Sequence, residues 1–102
     1  MYDLFLTELA DADLDSIVQY LLGELASPMA ASSFLDAVDR CYDLLRTNPY
    51  GYEACRAPHL RSEGYRKATL PHCLLIYKVD DEAKRVTIYR FFHSTQNYAK
   101  LL

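Results

Sequence analysis

The hydrophobic pattern of this chain changes period once, near Pro49, and that change limits the folds open to it. Before Pro49, apolar residues recur at steps of three and four. Leu14, Ile17, Val18, Leu21, Leu22 and Leu25 mark one face of an amphipathic helix over residues 8–25. Thr7 is placed to cap it, and Glu8 and Asp11 complement the dipole of its first turn. Ser27 and Pro28 start a second helix. Its apolar face runs through Ala31, Phe34, Leu35, Val38, Cys41, Tyr42 and Leu45, and Pro49 disfavours helical geometry at Asn48. A link of two or three residues folds such helices into an antiparallel hairpin.

After Pro49 an irregular stretch runs to about Glu63, and then the pattern becomes that of strands. Residues 65–70 are strand-like until Pro71 interrupts them, residues 73–80 are rich in apolar side chains, and residues 85–93 form another β-rich run. The polar turn Asp81-Glu82-Ala83-Lys84 joins the last two into a hairpin. An apolar strand over residues 2–6 precedes the helices, and residues 94–102 form a tail of one or two helical turns. The order β-α-α-β-β-β predicts one α+β domain over residues 1–102: a mostly antiparallel sheet with the helical hairpin on one face.

Strict alternation in the last strand places Val86, Ile88, Arg90 and Phe92 on one side and Thr87, Tyr89, Phe91 and His93 on the other. The aliphatic side is expected to meet the helices, leaving Tyr89, Phe91 and His93 on an open face. Charge divides along the same line. Residues 1–55 hold ten acidic side chains and two basic ones, whereas residues 56–102 hold nine basic and four acidic. The net charge of −3 argues against a histone-like nucleic-acid binder. The division nevertheless makes an acidic helical layer and a basic, aromatic strand layer, which suits single-stranded nucleic acid or an acidic peptide.

No apolar run reaches the ~20 residues that span a bilayer, so no membrane partner is expected. The start Met1-Tyr2-Asp3-Leu4-Phe5 has no basic region before an apolar stretch, unlike a signal peptide, so a cytoplasmic location is expected. Cys41, Cys55 and Cys73 follow no metal-ligand spacing and read as reduced thiols.

Several segments, in order, resemble the RelE/ParE toxin superfamily. They are Leu6-Thr7 with Ala10, Asp13-Leu14, Ile17 and Tyr20; Ala30-Ala31; Asn48-Pro49-Tyr50; Gly64-Tyr65-Arg66-Lys67; Leu75-Ile76-Tyr77-Lys78-Val79; and Val86-Thr87-Ile88-Tyr89-Arg90 with Phe92-His93 and Gln96-Asn97-Tyr98. The resemblance implies the toxin of a bacterial type II toxin–antitoxin pair, neutralised by a cognate antitoxin segment that wraps around it. RelE-like members are metal-independent endoribonucleases that cut mRNA on the ribosome, and ParE-like members poison DNA gyrase. The first is the leading expectation. The second, and a degenerate member that only binds its antitoxin, are the alternatives, because fold alone does not decide activity. No cofactor or metal is expected.

Metal-independent RNA cleavage needs a base for the 2′-hydroxyl, cations for the phosphorane charge and an acid for the leaving oxygen. His93 is the acid–base candidate, since its ordinary pKa suits both roles. Arg66 and Arg90 are candidates for charge stabilisation, although Arg90 has an alternative as partner of a helix acid. Tyr98 matches the family's C-terminal aromatic, which the resemblance assigns to stacking or proton transfer. Lys67, Lys78, Arg56 and Arg61 are candidates for holding phosphate. Arg66 and Lys67 are adjacent in a strand and must point to opposite faces. His59 and His72 read as surface residues. The match has gaps: the family's lysine cluster is thin, Cys73-Leu74 stand where some members carry a basic residue, and the helix-borne Glu of another subgroup has no counterpart.

Overall fold

The computed structural model describes residues 1–93 and residue 100. The expected tail and Tyr98 lie outside the described residues, apart from Lys100, which is helical and exposed. In chain order the elements are β1 (Asp3–Leu6), α1 (Glu8–Gly23), α2 (Pro28–Thr47), α3 (Pro58–Ser62), β2 (Arg66–Leu70), β3 (Cys73–Asp80) and β4 (Arg85–His93).

Both long helices begin where their caps place them. The Thr7 and Ser27 hydroxyls accept from the amides of Ala10 and Ala30 at 3.1 Å, caps that contribute about 1 kcal/mol each. Thr7 also donates its hydroxyl to the Tyr89 carbonyl at 2.8 Å, which ties the start of α1 to β4. The first helix ends at Gly23, so Leu25 falls in the link and stays exposed. The second ends at Thr47, and Asn48 bonds back to Leu44 before the buried Pro49.

The sheet order is β1-β4-β3-β2, with β1 parallel to β4 and the other pairs antiparallel. The helical hairpin covers one face. Ala10, Ile17 and Leu21 of α1 and Phe34, Val38, Cys41 and Leu45 of α2 bury against Leu75, Tyr77, Val86, Ile88 and Phe91 of the sheet. The three cysteines are buried, free thiols.

Two features depart from the expected plan. The stretch after Pro49 is not wholly irregular. Pro58 opens the short α3, and Gly64, at φ +88°, closes it in the left-handed conformation that glycine adopts at least cost. This segment covers part of the sheet's second face, where Cys55 and Leu60 bury against Ile76 and Phe92. The second departure is a register shift between Ile76 and Tyr77, which pair with Arg90 and Ile88 and leave Tyr89 as an extra residue in β4. A bulge of this kind reverses the alternation beyond it. Phe91 therefore joins the helix-side core and Phe92 the opposite cluster, the reverse of what unbroken alternation predicts.

One buried tyrosine, Tyr77, and two half-buried ones, Tyr42 and Tyr52, give the fold an alkaline limit. Burial pushes Tyr42, Tyr52 and Tyr77 up to about 12, and the Tyr77 hydroxyl donates to the Pro49 carbonyl at 2.6 Å. A phenol whose folded pKa lies above its unfolded value of about 10 favours the native state fully below that pH. The advantage disappears as pH rises toward 12. Phenolate absorbance and far-UV circular dichroism are followed together from pH 9 to 12; the exposed Tyr50, whose hydrogen bond to Asp81 also pushes it up to about 12, is expected to ionise without loss of helix. Tyr42, Tyr52 and Tyr77 should ionise only together with loss of helix.

Candidate functional site

The register of β2, β3 and β4 assigns each candidate side chain to one face of the sheet. Tyr77, Leu75 and Cys73 face the helices, so their partners Arg66, Ala68 and Leu70 on β2, and Phe91 and His93 on β4, share that side. Lys67, Leu74, Ile76, Lys78, Arg90 and Phe92 belong to the opposite, outer face.

His93 lies on the covered side, not on the open face expected from alternation. Its ring meets Tyr20 of α1 edge-on, with centroids 5.0 Å apart. Phe91, expected beside it in the open, is 2% exposed in the main core. Arg66 is also on the helix side, where its guanidinium donates to the Tyr52 carbonyl at 2.6 and 3.1 Å and lies 5.2 Å from the centre of the Tyr50 ring. It thus anchors the chain leaving α2. Arg66 stands opposite Tyr77 and His93 is aligned with Cys73. Four residues of strand separate those positions, roughly 13 Å.

Arg90 is engaged by a helix acid, the alternative open to it in the sequence. Asp13 of α1 accepts from its Nε at 2.6 Å and Nη2 at 3.0 Å, and from the Phe91 amide at 3.1 Å. Strand β1 ends beside Ile88. No strand among the described residues flanks β4 beyond that point, so the Asp13 carboxylate caps a backbone group there. The bond to Asp13 raises the Arg90 pKa further, and the guanidinium lies 4.7 Å from the centre of the Phe92 ring.

The outer face carries the remaining cations. Lys67 pairs with Glu53 at 3.5 Å. Lys78 pairs with Glu63 at 3.6 Å, and its ammonium sits 4.3 Å from the Tyr65 ring centre and 5.7 Å from that of Tyr89. The two rings meet edge-on at 5.4 Å. The sequence offered Lys78 as a cation and Tyr89 as an open-face ring, but not Tyr65 and Glu63, which complete the group. Arg56 and Arg61 are exposed on either side of the start of α3. His59 and His72 are exposed as expected. Among the described residues no group of three His, Cys, Asp or Glu side chains could hold a metal ion, and no helix is long and apolar enough to cross a membrane.

Among the described residues, then, the acid–base and charge-stabilising candidates do not converge. His93 and Arg66 are at separate points of the helix side, Arg90 is clamped by Asp13, and Lys67 and Lys78 lie on the outer face. What the outer face assembles is an aromatic and cationic surface.

A four-stranded sheet with a parallel edge strand and a helical hairpin on one face is the architecture of RelE/ParE superfamily toxins. It is shared with the ParDE toxin–antitoxin system of Pseudomonas aeruginosa, at 24% identity and TM-score 0.69 over 91% of this chain and 96% of that one. YafQ from Escherichia coli is similar at 18% identity and TM-score 0.61, over 100% and 99% of the two chains. A RelBE toxin–antitoxin complex from Mycobacterium tuberculosis is similar at 22% identity and TM-score 0.52, over 90% and 96%. No curated protein matches by sequence. The sequence model of the ParE toxin of the type II toxin–antitoxin system parDE matches residues 4–98. The chain belongs to this family, and is a type II toxin of the RelE/ParE superfamily.

Proposed function

We propose that this toxin acts by binding DNA gyrase and blocking it, without a catalytic step of its own, and that a cognate antitoxin neutralises it in the cytoplasm. The observation that carries the reading is the match to the ParE family over residues 4–98. It reverses the order of the two activities expected from the sequence. The geometry supports the same direction. A ribonuclease needs its acid, base and cations around one phosphate. Here Arg90 and Arg66 are spent on Asp13 and on backbone carbonyls, and His93 packs against Tyr20. At the His93 end of the outer face, Leu60 and Cys55 cover Ile76 and Phe92 with apolar surface. The toxin–antitoxin assemblies among the similar structures, ParDE and RelBE, support an antitoxin as the neutralising protein.

The experiment is induction in a bacterial host, with plasmid topology and translated mRNA followed together and purified toxin added to a gyrase supercoiling reaction. Growth arrest with relaxed plasmid, at least a tenfold loss of supercoiling activity and intact mRNA is expected. Cut mRNA with unaffected gyrase would return the ribosome-dependent endoribonuclease to first place. Absence of arrest would mark a member that only binds its antitoxin.

A further inference from the structure

Seven acidic side chains fall between Glu8 and Asp39, and no lysine or arginine precedes Arg40. One of the seven, Asp13, turns inward to Arg90. The other six, Glu8, Asp11, Asp15, Glu24, Asp36 and Asp39, are exposed on the helical hairpin and its link. Among the described residues none of them makes an ion pair. Spacing lines them up. Asp11, Asp15 and Leu22 share one face of α1, and Met29, Asp36 and Asp39 share one face of α2. The Tyr42 hydroxyl, raised to about 12 chiefly by burial, also feels Asp39 and Asp11, so the two rows approach each other across the seam between the helices. At the link, apolar side chains stand in the open: Leu22 is 48%, Leu25 46% and Met29 80% exposed. Helix α1 ends there with Glu24 as its C-cap and no base in its last turn. The negative end of its dipole therefore adds to Glu24 instead of being balanced.

We propose that the solvent side of the hairpin docks a basic amphipathic helix of a protein partner, with apolar side chains at the link and Lys or Arg along the seam. This surface stands whether or not gyrase is the target, and lies across the sheet from Lys67, Lys78 and Arg90. Two costs in the free chain point to an occupant. Like charges repel along both helices, at Asp11 and Asp15 and at Asp36 and Asp39, three or four residues apart. The leucine and methionine side chains at the link stay in water, where burial would be favourable. A charged face alone would serve solubility. Joined to exposed apolar side chains, it has the make-up of a docking surface. The charge selects the occupant. The phosphates of nucleic acid or of anionic lipid would be repelled, and so would a second copy presenting the same face. A basic helix fits. Met29 and Leu22 give its apolar residues an adaptable seat, Glu24 and the end of α1 attract its first cation, and further cations reach Asp15, Asp11 and Asp39. Leu22 and Asp11 are eleven residues apart, roughly 16 Å along the helix. The partner therefore needs about three turns, apolar at one end and basic toward the other.

The test is a nuclear magnetic resonance titration of the full ¹⁵N-labelled chain, at physiological salt, with three blocked peptides. The first is acetyl-Leu-Ala-Ala-Leu-Leu-Ala-Ala-Lys-Ala-Ala-Lys-Lys-Ala-Ala-Lys-amide. The second has Glu for every Lys, and the third has Ala for every Leu. The first is expected to bind saturably and shift the amides of Asp11, Asp15, Leu22, Glu24 and Met29. The second should not bind, and the third should bind at least fivefold more weakly. In the chain, Asp15→Asn combined with Glu24→Gln, both at exposed positions, should weaken the first peptide at least tenfold without lowering the thermal midpoint. No saturable binding, binding of the second peptide, equal affinity for the first and third, shifts confined to the sheet, or an unchanged affinity in the double variant would overturn the proposal. Gyrase is absent from the titration, so its outcome is read apart from that of the supercoiling reaction.

Discussion

Asp13→Ala is expected to lower the unfolding free energy by about 3 kcal/mol, read from urea denaturation, with a fall in Tm of roughly 10–20 °C. The size follows from what one carboxylate holds. Asp13 accepts two hydrogen bonds from Arg90 and one from the Phe91 amide, and the pair is mostly shielded, with side chains 18% and 24% exposed. Removing the acid leaves a guanidinium and a backbone N–H without their acceptor beside the core, and each loss costs more than the intact bond contributed. Asp13→Asn keeps a neutral acceptor and should cost about half as much. A loss below 1 kcal/mol for the alanine variant would mean that water screens the pair as it does surface ion pairs. The same variant bears on function. If Arg90 were a phosphate-binding residue restrained by Asp13, freeing it would raise RNA affinity. A purely structural clamp predicts no RNA binding in either protein.

The clamp also shows what was legible in the sequence and what was not. Both long helices, the four strands and the α+β class follow from spacing and caps, because Thr7, Ser27 and Pro49 each act through the local backbone. That Arg90 would meet a helix acid was open to the sequence, since acids crowd α1 and α2. The facing of His93, Phe91 and Phe92 was not. One inserted residue at Tyr89 inverts everything after it, and nothing in Arg85–His93 marks where the bulge falls. The bulge is fixed by tertiary bonds instead: Thr7 to the Tyr89 carbonyl and Asp13 to the Phe91 amide. The covering of the outer face escaped for a similar reason. Leu60 is one apolar residue in a polar stretch, and only the folded chain shows that α3 sets it against Ile76 and Phe92. Charge separation was legible as composition, but Lys67, Lys78 and Arg90 of the strand layer turn out to be paired with carboxylates. The outer face is therefore less electropositive than the sequence division implies.

Phe92→Ala tests that covering. The Phe92 side chain is fully buried in the smaller cluster, so truncation removes a ring and leaves a cavity, at a cost of about 3–4 kcal/mol. Against a total of 5–15 kcal/mol for a domain of this kind the protein should remain folded at 20 °C, with the damage concentrated on one side. Hydrogen exchange is expected to accelerate at the amides of Cys55, Leu60 and Tyr65, whose bonds hold the covering segment. The amides of α2 should keep their protection relative to global unfolding. The Arg90 guanidinium lies on the Phe92 ring, so the cost is shared with the Asp13 clamp. A double variant with Asp13→Ala should depart from additivity by about 0.5–1 kcal/mol. If the two losses simply add, the ring contact carries no energy. If exchange accelerates uniformly, α3 is part of the main cooperative unit, and the outer face cannot be opened without unfolding the toxin.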